Sequence, residues 1–262
     1  MADSNSDIVG DWAIELIPVT DAGRAFYLAE YKPFRLAALK QDPDAFGSTY
    51  AREVAFPDEA WLQRLSNPGV KTFVAVRRRD RRILSAVSLI GPMPHAGQQL
   101  LSNPTQALLS QTAPSGRGSS GSTSSGRKES GECEEEQEKE GKEGKEGNHR
   151  PDNENDDDAP PLLYQNTGVY TRPEARGKGL GLQLMAAAVE CARQEARRQE
   201  RECRLGVEVY QTNQAAISFY RRCGFKARGT KVPESEDDEK RPGLCSMYLP
   251  GFPPAISIRK HH

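Results

Sequence analysis

Between Arg176 and Gly181 the chain reads R-G-K-G-L-G, with three glycines and two cations directly ahead of an apolar run. Glycines let backbone N–H groups turn toward one point, and a following helix adds the positive end of its dipole, so the stretch can cradle a phosphate or pyrophosphate. Spacing separates the anion loops it resembles superficially. A Walker A loop needs Ser or Thr after its Gly-Lys, but Lys178 is followed by Gly179. The dinucleotide fingerprint needs G-x-G-x-x-G, whereas Gly177, Gly179 and Gly181 run G-x-G-x-G. Both fit poorly. Taken alone, the loop is an unassigned anion nest or a bare Gly-rich turn into a helix.

A second constellation, N-Q-A-A-I-S-F-Y-R-R-C-G-F from Asn213 to Phe225, sets a capping amide ahead of a tyrosine on a helical stripe. A phenol, with an ordinary pKa of about 10, stays protonated at neutral pH and can donate a hydrogen bond or a proton. Together the two stretches resemble the R/Q-x-x-G-x-G/A loop and the N-x-x-A-x-x-F/L-Y-x-x-x-G-F element of the GNAT superfamily of acyl-CoA N-acyltransferases. The first match falls on Arg176, Gly179 and Gly181, and the second on Asn213, Ala216, Phe219, Tyr220, Gly224 and Phe225. "TRP" before the loop is similar to the V-x-P strand end of that superfamily, and "RLAALKQDPDAFGSTYAREV" to its helical region. The resemblance covers the chain apart from an insertion and the N-terminal tail.

That resemblance implies acetyl transfer from acetyl-CoA to a primary amine by direct attack in a ternary complex. Backbone groups of Val169, Tyr170 and Thr171 would hold the pantetheine arm and orient the acetyl carbonyl. Amides of Gly177, Lys178, Gly179, Leu180, Gly181 and Leu182 would bind the pyrophosphate, assisted by the side chains of Arg176 and Lys178. Tyr220 would be the acid that protonates the thiolate, and Asn213 would bond the pantetheine region while capping its helix. Many members place a Glu on the strand before the loop, yet here the positions read Tyr164, Gln165 and Asn166. Glu53 and Glu208 remain as bases acting through water, and an already neutral amine needs neither. A CoA-binding regulatory or scaffold module without turnover is the main alternative, and a nucleotide-binding module a third.

Composition bounds what must position these groups. A hydrophobic fraction of 36% and a mean hydropathy of -0.72 point to one globular domain plus sequence that is not core. From about 95 to 160 the chain collapses into Ser, Gly, Glu, Lys and Asp, which cannot bury enough apolar area to fold. The expected organisation is a flexible tail over 1–10 and a single N-acetyltransferase domain over 11–262 interrupted by that disordered, acidic insertion. A formal net charge of -1 offers no bulk attraction to nucleic acid or anionic membrane. No run approaches the ~18 apolar residues of a membrane span. Five scattered cysteines without a C-x-x-C pair suit a reducing compartment, so a cytoplasmic or nuclear protein is expected. No metal is expected, because His95, His149, His261 and His262 fall in the insertion or the C-terminus.

Pattern supplies the elements. "WAIELIPV" alternates as a strand with Trp12, Ile14 and Leu16 on one face. Thr20 and Asp21 offer N-cap chemistry for a helical region toward Leu39 that Pro33 should kink or divide. "QDPDAFGSTY" reads as a loop and "PDEAWLQRLS" as a short helix. "KTFVAVRR" and "RILSAVSLI" form a hairpin around Arg79 and Asp80, which makes the basic run a solvated tip. "PLLYQNTGVY" is a strand, followed by the glycine loop, a long helix, the strand "CRLGVEVY", the Tyr220 helix and a last strand "LCSMYL". A strand–helix–strand crossover within hairpin-connected strands predicts an α/β fold with a mixed, largely antiparallel central sheet and flanking helices.

Overall fold

The structure is a computed structural model that describes residues 11–93, 159–231 and 243–250. The predicted tail, nearly all of the insertion and the four histidines lie outside these residues. All described residues belong to one compact unit.

Seven strands form one sheet in the order β1-β2-β3-β4-β5-β7-β6. They are β1 (Trp12–Leu16), β2 (Val70–Arg77), β3 (Ile83–Met93), β4 (Leu162–Thr171), β5 (Cys203–Tyr210), β6 (Lys226–Lys231) and β7 (Leu244–Leu249). The β4–β5 pair is parallel and the others are antiparallel. The helix joining β4 to β5 supplies the predicted crossover. The strand β6 was not legible as one: "KARGTK" has no apolar alternation, and it holds its place at the sheet edge by hydrogen-bonding to β7 alone.

Helices α1 (Asp21–Phe26), α2 (Lys32–Gln41), α3 (Tyr50–Val54) and α4 (Asp58–Ser66) precede the first hairpin. Thr20 caps α1, its hydroxyl accepting from the Gly23 amide at 3.2 Å, a contribution of about 1 kcal/mol. The predicted interruption at Pro33 appears as a π-helical turn over Tyr27–Tyr31, closed by the Lys32 amide donating to the Tyr27 carbonyl. The wider turn absorbs the proline's missing donor and its ring. The segment read as a loop carries a 3₁₀ turn at Pro43–Ala45 and then α3, capped by Thr49.

Two clusters build the core, one on each side of the sheet. The first gathers Leu180, Leu184, Met185, Ala188, Val189 and Ala192 of α5 (Leu180–Arg198) with Ile217 and Tyr220 of α6 (Gln214–Arg222), over Leu162, Tyr164, Leu205, Val207 and Met247. Each large aliphatic buried there contributes about 1.5–3 kcal/mol. The second packs Tyr27, Tyr31, Phe34, Trp61 and Leu65 against Val74, Val76, Ala86 and Tyr170. One sequence-based placement differs: Trp12 and Ile14 pack on the first cluster, but Leu16, expected on the same face, is 44% exposed on the edge strand, while Ile17 is buried on the opposite side. The basic hairpin tip is ion-paired at the surface, Arg77 with Asp80, Arg81 with Glu15 and Arg82 with Glu174.

Candidate functional site

Along β4 the alternation of side chains changes phase. Leu162 and Tyr164 belong to the first core cluster, and the Asn166 amide lies 3.0 Å from Met185 Sδ, so even positions face α5. Beyond them Val169 packs on that cluster while Tyr170 belongs to the opposite one. The slip coincides with a bulge, where Ala86 pairs with Tyr170 but Ser88 with Thr167, and with Gly168 at φ +63°. A bulge re-aims backbone groups and bends its strand. Nothing in the sequence pattern marked Gly168 beyond its being a glycine within a strand.

The same region is where the sheet opens. Pairing of β4 with β5 runs from Leu162/Cys203 to Asn166/Val207 and stops, although β4 continues to Thr171 and β5 to Tyr210. Val169, Tyr170 and Thr171 therefore keep β3 on one side and have no ladder to β5 on the other. Thr171 is fixed by its hydroxyl, 2.7 Å from Ser85 Oγ.

The glycine loop follows. A 3₁₀ turn at Pro173–Ala175 leads to Gly177 and Gly179, both at φ +77°, a left-handed conformation that side chains resist. Gly179 is the N-cap of α5 and brings no side chain to the first-turn amides, so those of Leu180, Gly181 and Leu182 begin a helix with their donors turned toward its N-terminus. Lys178 is half-buried in the loop. The other predicted cation is differently engaged. Arg176 Nη2 donates to Asp42 Oδ2 at 2.7 Å, its Nε donates to the Thr171 carbonyl at 3.0 Å, and its guanidinium lies over the Tyr170 ring.

Gly181 ties the two motifs together. A Cβ there would stand 3.0 Å from Phe219 Cε2 and 3.8 Å from Thr171 Oγ1. The end of β4, the first turn of α5 and the face of α6 thus meet at one point. Next to Phe219, Tyr220 is buried with its ring edge-on to those of Phe219 and Phe225 at 5.3 and 5.7 Å. Burial pushes its phenol above its ordinary pKa, so it stays protonated well into the alkaline range. Asn213 caps α6, with its carbonyl oxygen accepting from the Ala216 amide at 3.0 Å, and Gly224 follows the helix at φ +91°.

The two carboxylates weighed as bases are unlike each other. Glu208 lies on β5 opposite Ser246 of β7. Glu53 is fully buried, and Arg35 donates to both of its oxygens, from Nη2 at 2.9 Å and from Nε at 3.2 Å, while Arg64 adds a bond at 3.3 Å. Burial alone would raise its pKa, but the two guanidiniums outweigh it and hold the carboxyl below its ordinary value. Among the described residues no group of His, Cys, Asp and Glu could hold a metal ion, and no helix is long and apolar enough to cross a membrane.

Comparison with known proteins agrees with this geometry. The family model described as the acetyltransferase (GNAT) domain matches residues 138–227. An acetyltransferase of the GNAT family from Streptococcus pneumoniae superposes with a TM-score of 0.50 at 13% identity, covering 90% of this chain and 97% of that one. A GCN5-related N-acetyltransferase from Kribbella flavida is 17% identical over 91% of this chain and 98% of its own, with a TM-score of 0.48. A spermidine N-acetyltransferase mutant from Vibrio cholerae is 11% identical over 90% and 94%, with a TM-score of 0.46. No curated protein matches the chain. Residues 138–227, which span the left-handed glycine loop and the Tyr220 helix, thus match the acetyltransferase (GNAT) domain, and the opened sheet that carries them has the fold of the Streptococcus pneumoniae protein.

Proposed function

We propose that this protein transfers an acetyl group from acetyl-CoA to a primary amine by direct attack in a ternary complex. The observation that carries the reading is the end of β4–β5 pairing at Asn166/Val207, which leaves Val169–Thr171 as an open strand edge leading into the glycine loop. An extended pantetheine arm fits such an edge by backbone hydrogen bonds. Its pyrophosphate fits the positive-φ cradle of Gly177 and Gly179 and the uncapped start of α5, where the amides from Gly177 through Leu182 supply donors. Lys178 adds a cation there, and Asn213, whose oxygen is spent on its cap, keeps its NH₂ for the arm.

In the transfer itself the amine nitrogen attacks the thioester carbonyl carbon, the C–S bond breaks, the departing thiolate takes the proton of the Tyr220 hydroxyl, and the proton lost by the acylated nitrogen passes through solvent to restore the phenol. A buried, protonated phenol is suited to that role. No residue from Tyr164 to Asn166 supplies a carboxylate base, and two arginines hold the Glu53 carboxyl below its ordinary pKa, which makes it a weak base, so an amine that arrives already neutral suits this site.

Thiol release from acetyl-CoA with a panel of amines, paired with calorimetric titration of acetyl-CoA, tests this. Micromolar binding with amine-dependent thiol release supports it. Binding without release from any amine would favour a CoA-binding regulatory module, and preferential binding of ATP or NAD would sink both.

A further inference from the structure

The transfer point of the proposed reaction is bounded on the helical side by a charge cluster with an unequal balance. A Cβ on Gly168, at the bulge one residue before Val169, would stand 3.8 Å from Arg35 Nη1. Arg35 is 8% exposed and its other two nitrogens donate to Glu53, which leaves the Nη1 edge toward the bend of β4. Glu53 is shared with Arg64, so two guanidiniums face one carboxylate. The remaining groups around Arg35 do not change that sum. Tyr27 is kept as a phenol by burial, Tyr31 stacks on it at 4.5 Å, Phe46 lies under the guanidinium, and Asp42 is paired with Arg176. The cluster carries one positive charge more than its carboxylate offsets, shared between buried Arg35, beside the backbone that would orient the acetyl group, and the partly exposed Arg64.

A cationic amine brought to that point meets a like charge where solvent screening is weak, which disfavours its ammonium form. An enzyme that takes up its acceptor already neutral depends on how much of it is in that form. An α-amino group has a pKa of about 7.7–8.0 and a lysine side chain about 10.4, so at pH 7 the α-amino group has roughly 200–400 times the neutral fraction. An α-amino group also brings a carbonyl or carboxylate oxygen three bonds away, a partner for a guanidinium N–H.

We propose, resting on the transferase reading above, that the acceptor is a free α-amino group, and that Arg35 is a specificity-determining residue that turns away the cationic amines of lysine side chains and polyamines. A peptide N-terminus and a free amino acid share that chemistry.

The full chain is assayed at pH 7 with an unblocked peptide lacking lysine, a set of free amino acids, an N-terminally blocked peptide bearing one lysine, and spermidine. The expected kcat/KM for the better α-amino acceptor exceeds that for spermidine and lysine by at least 100-fold. The comparison of the unblocked peptide with the amino acids identifies the source. Arg35→Gln, which removes the charge, narrows the ratio at least 10-fold, while Arg35→Lys, which keeps it, preserves the ratio. Acetyl-CoA affinity by calorimetry stays within about 3-fold in both variants. Should Arg35→Gln fail to fold, the wild-type ratio and Arg35→Lys decide the matter. Spermidine or lysine turned over as well as the α-amino acceptors, or an undiminished ratio in folded Arg35→Gln, overturns this inference and leaves the transferase standing. Failure of every amine to raise thiol release overturns the transferase reading, and this inference with it.

Discussion

Gly181 and Phe219 are in contact so close that a Cβ on the glycine would lie 3.0 Å from Cε2 and 3.3 Å from Cζ of the ring. The first turn of α5 can approach α6 only because residue 181 has no side chain. Phe219 in turn stacks edge-on against Tyr220, so what displaces one ring presses on the other. Gly181→Ala is expected to cost about 1–3 kcal/mol as overpacking, lowering Tm, and to reduce kcat through the displaced tyrosine. Gly179 makes the contrast: space around it is open, but its φ of +77° would strain any L side chain. Gly179→Ala should cost about 1–2 kcal/mol and act on acetyl-CoA affinity, measured by calorimetry, more than on kcat. The reverse assignment of effects would show that the two glycines do not divide the work in this way.

Tyr220→Phe removes one oxygen and leaves the ring packed between Phe219 and Phe225. Tm should therefore change little and acetyl-CoA binding hold, while kcat falls by about 10²-fold or more, the usual share of a general acid. The pH profile adds a check. Because burial raises the phenol above its ordinary value, the acid stays protonated below about 10, and the wild-type rate should show no loss from this group in the neutral range. Full turnover in the variant would assign the proton to another donor.

What the sequence made legible was local. Thr20 and Asn213 were readable as caps because a side-chain oxygen placed at a helix start needs only its own turn. The stretch "CRLGVEVY" was readable as a strand. The features that escaped are set by partners distant in sequence. Glu53 is buried because Arg35, eighteen residues earlier, and Arg64, eleven residues later, converge on it. The π turn at Tyr27–Tyr31 answers Pro33 with a change of hydrogen-bond register that no residue preference signals. The Gly168 bulge is visible only once β3 supplies the register against which β4 slips. The candidate site follows the same division: loop and tyrosine were legible as motifs, whereas the end of the β4–β5 ladder and the Arg176–Asp42 pair were not.

The Arg176–Asp42 pair gives a prediction of its own. Both side chains are substantially exposed, at 51% and 38%, so the pair should contribute no more than about 1 kcal/mol to stability. Its larger effect is on charge at the mouth of the loop, where Asp42 offsets a cation five residues from Gly181. Asp42→Asn should leave Tm nearly unchanged and tighten acetyl-CoA binding a few-fold at low salt, with the gain fading as salt rises. An affinity insensitive to this change at every ionic strength would remove the Arg176 side chain from the pyrophosphate site.

Glu53 should behave as the keystone of the helical side. Replacing a buried, doubly paired carboxylate by an amide leaves two guanidiniums facing each other across a neutral group, and losing one partner of a buried pair costs about 3–5 kcal/mol. Glu53→Gln is therefore expected to lower the urea midpoint sharply. The sign of the pH dependence follows from the depressed pKa of the folded state. The stabilisation is fully present above the unfolded value of about 4.3 and is lost as pH falls through the lower folded value. Wild-type stability should thus decline in acid with a component that Glu53→Gln lacks, so the two midpoints converge at low pH. Tyr27, whose phenol burial raises, acts at the other end: its contribution is present below about 10 and is lost as pH rises through the folded value. Parallel midpoint curves for wild type and Glu53→Gln across the acid range would show that the carboxylate titrates alike in both states and that Arg35 and Arg64 do not hold it.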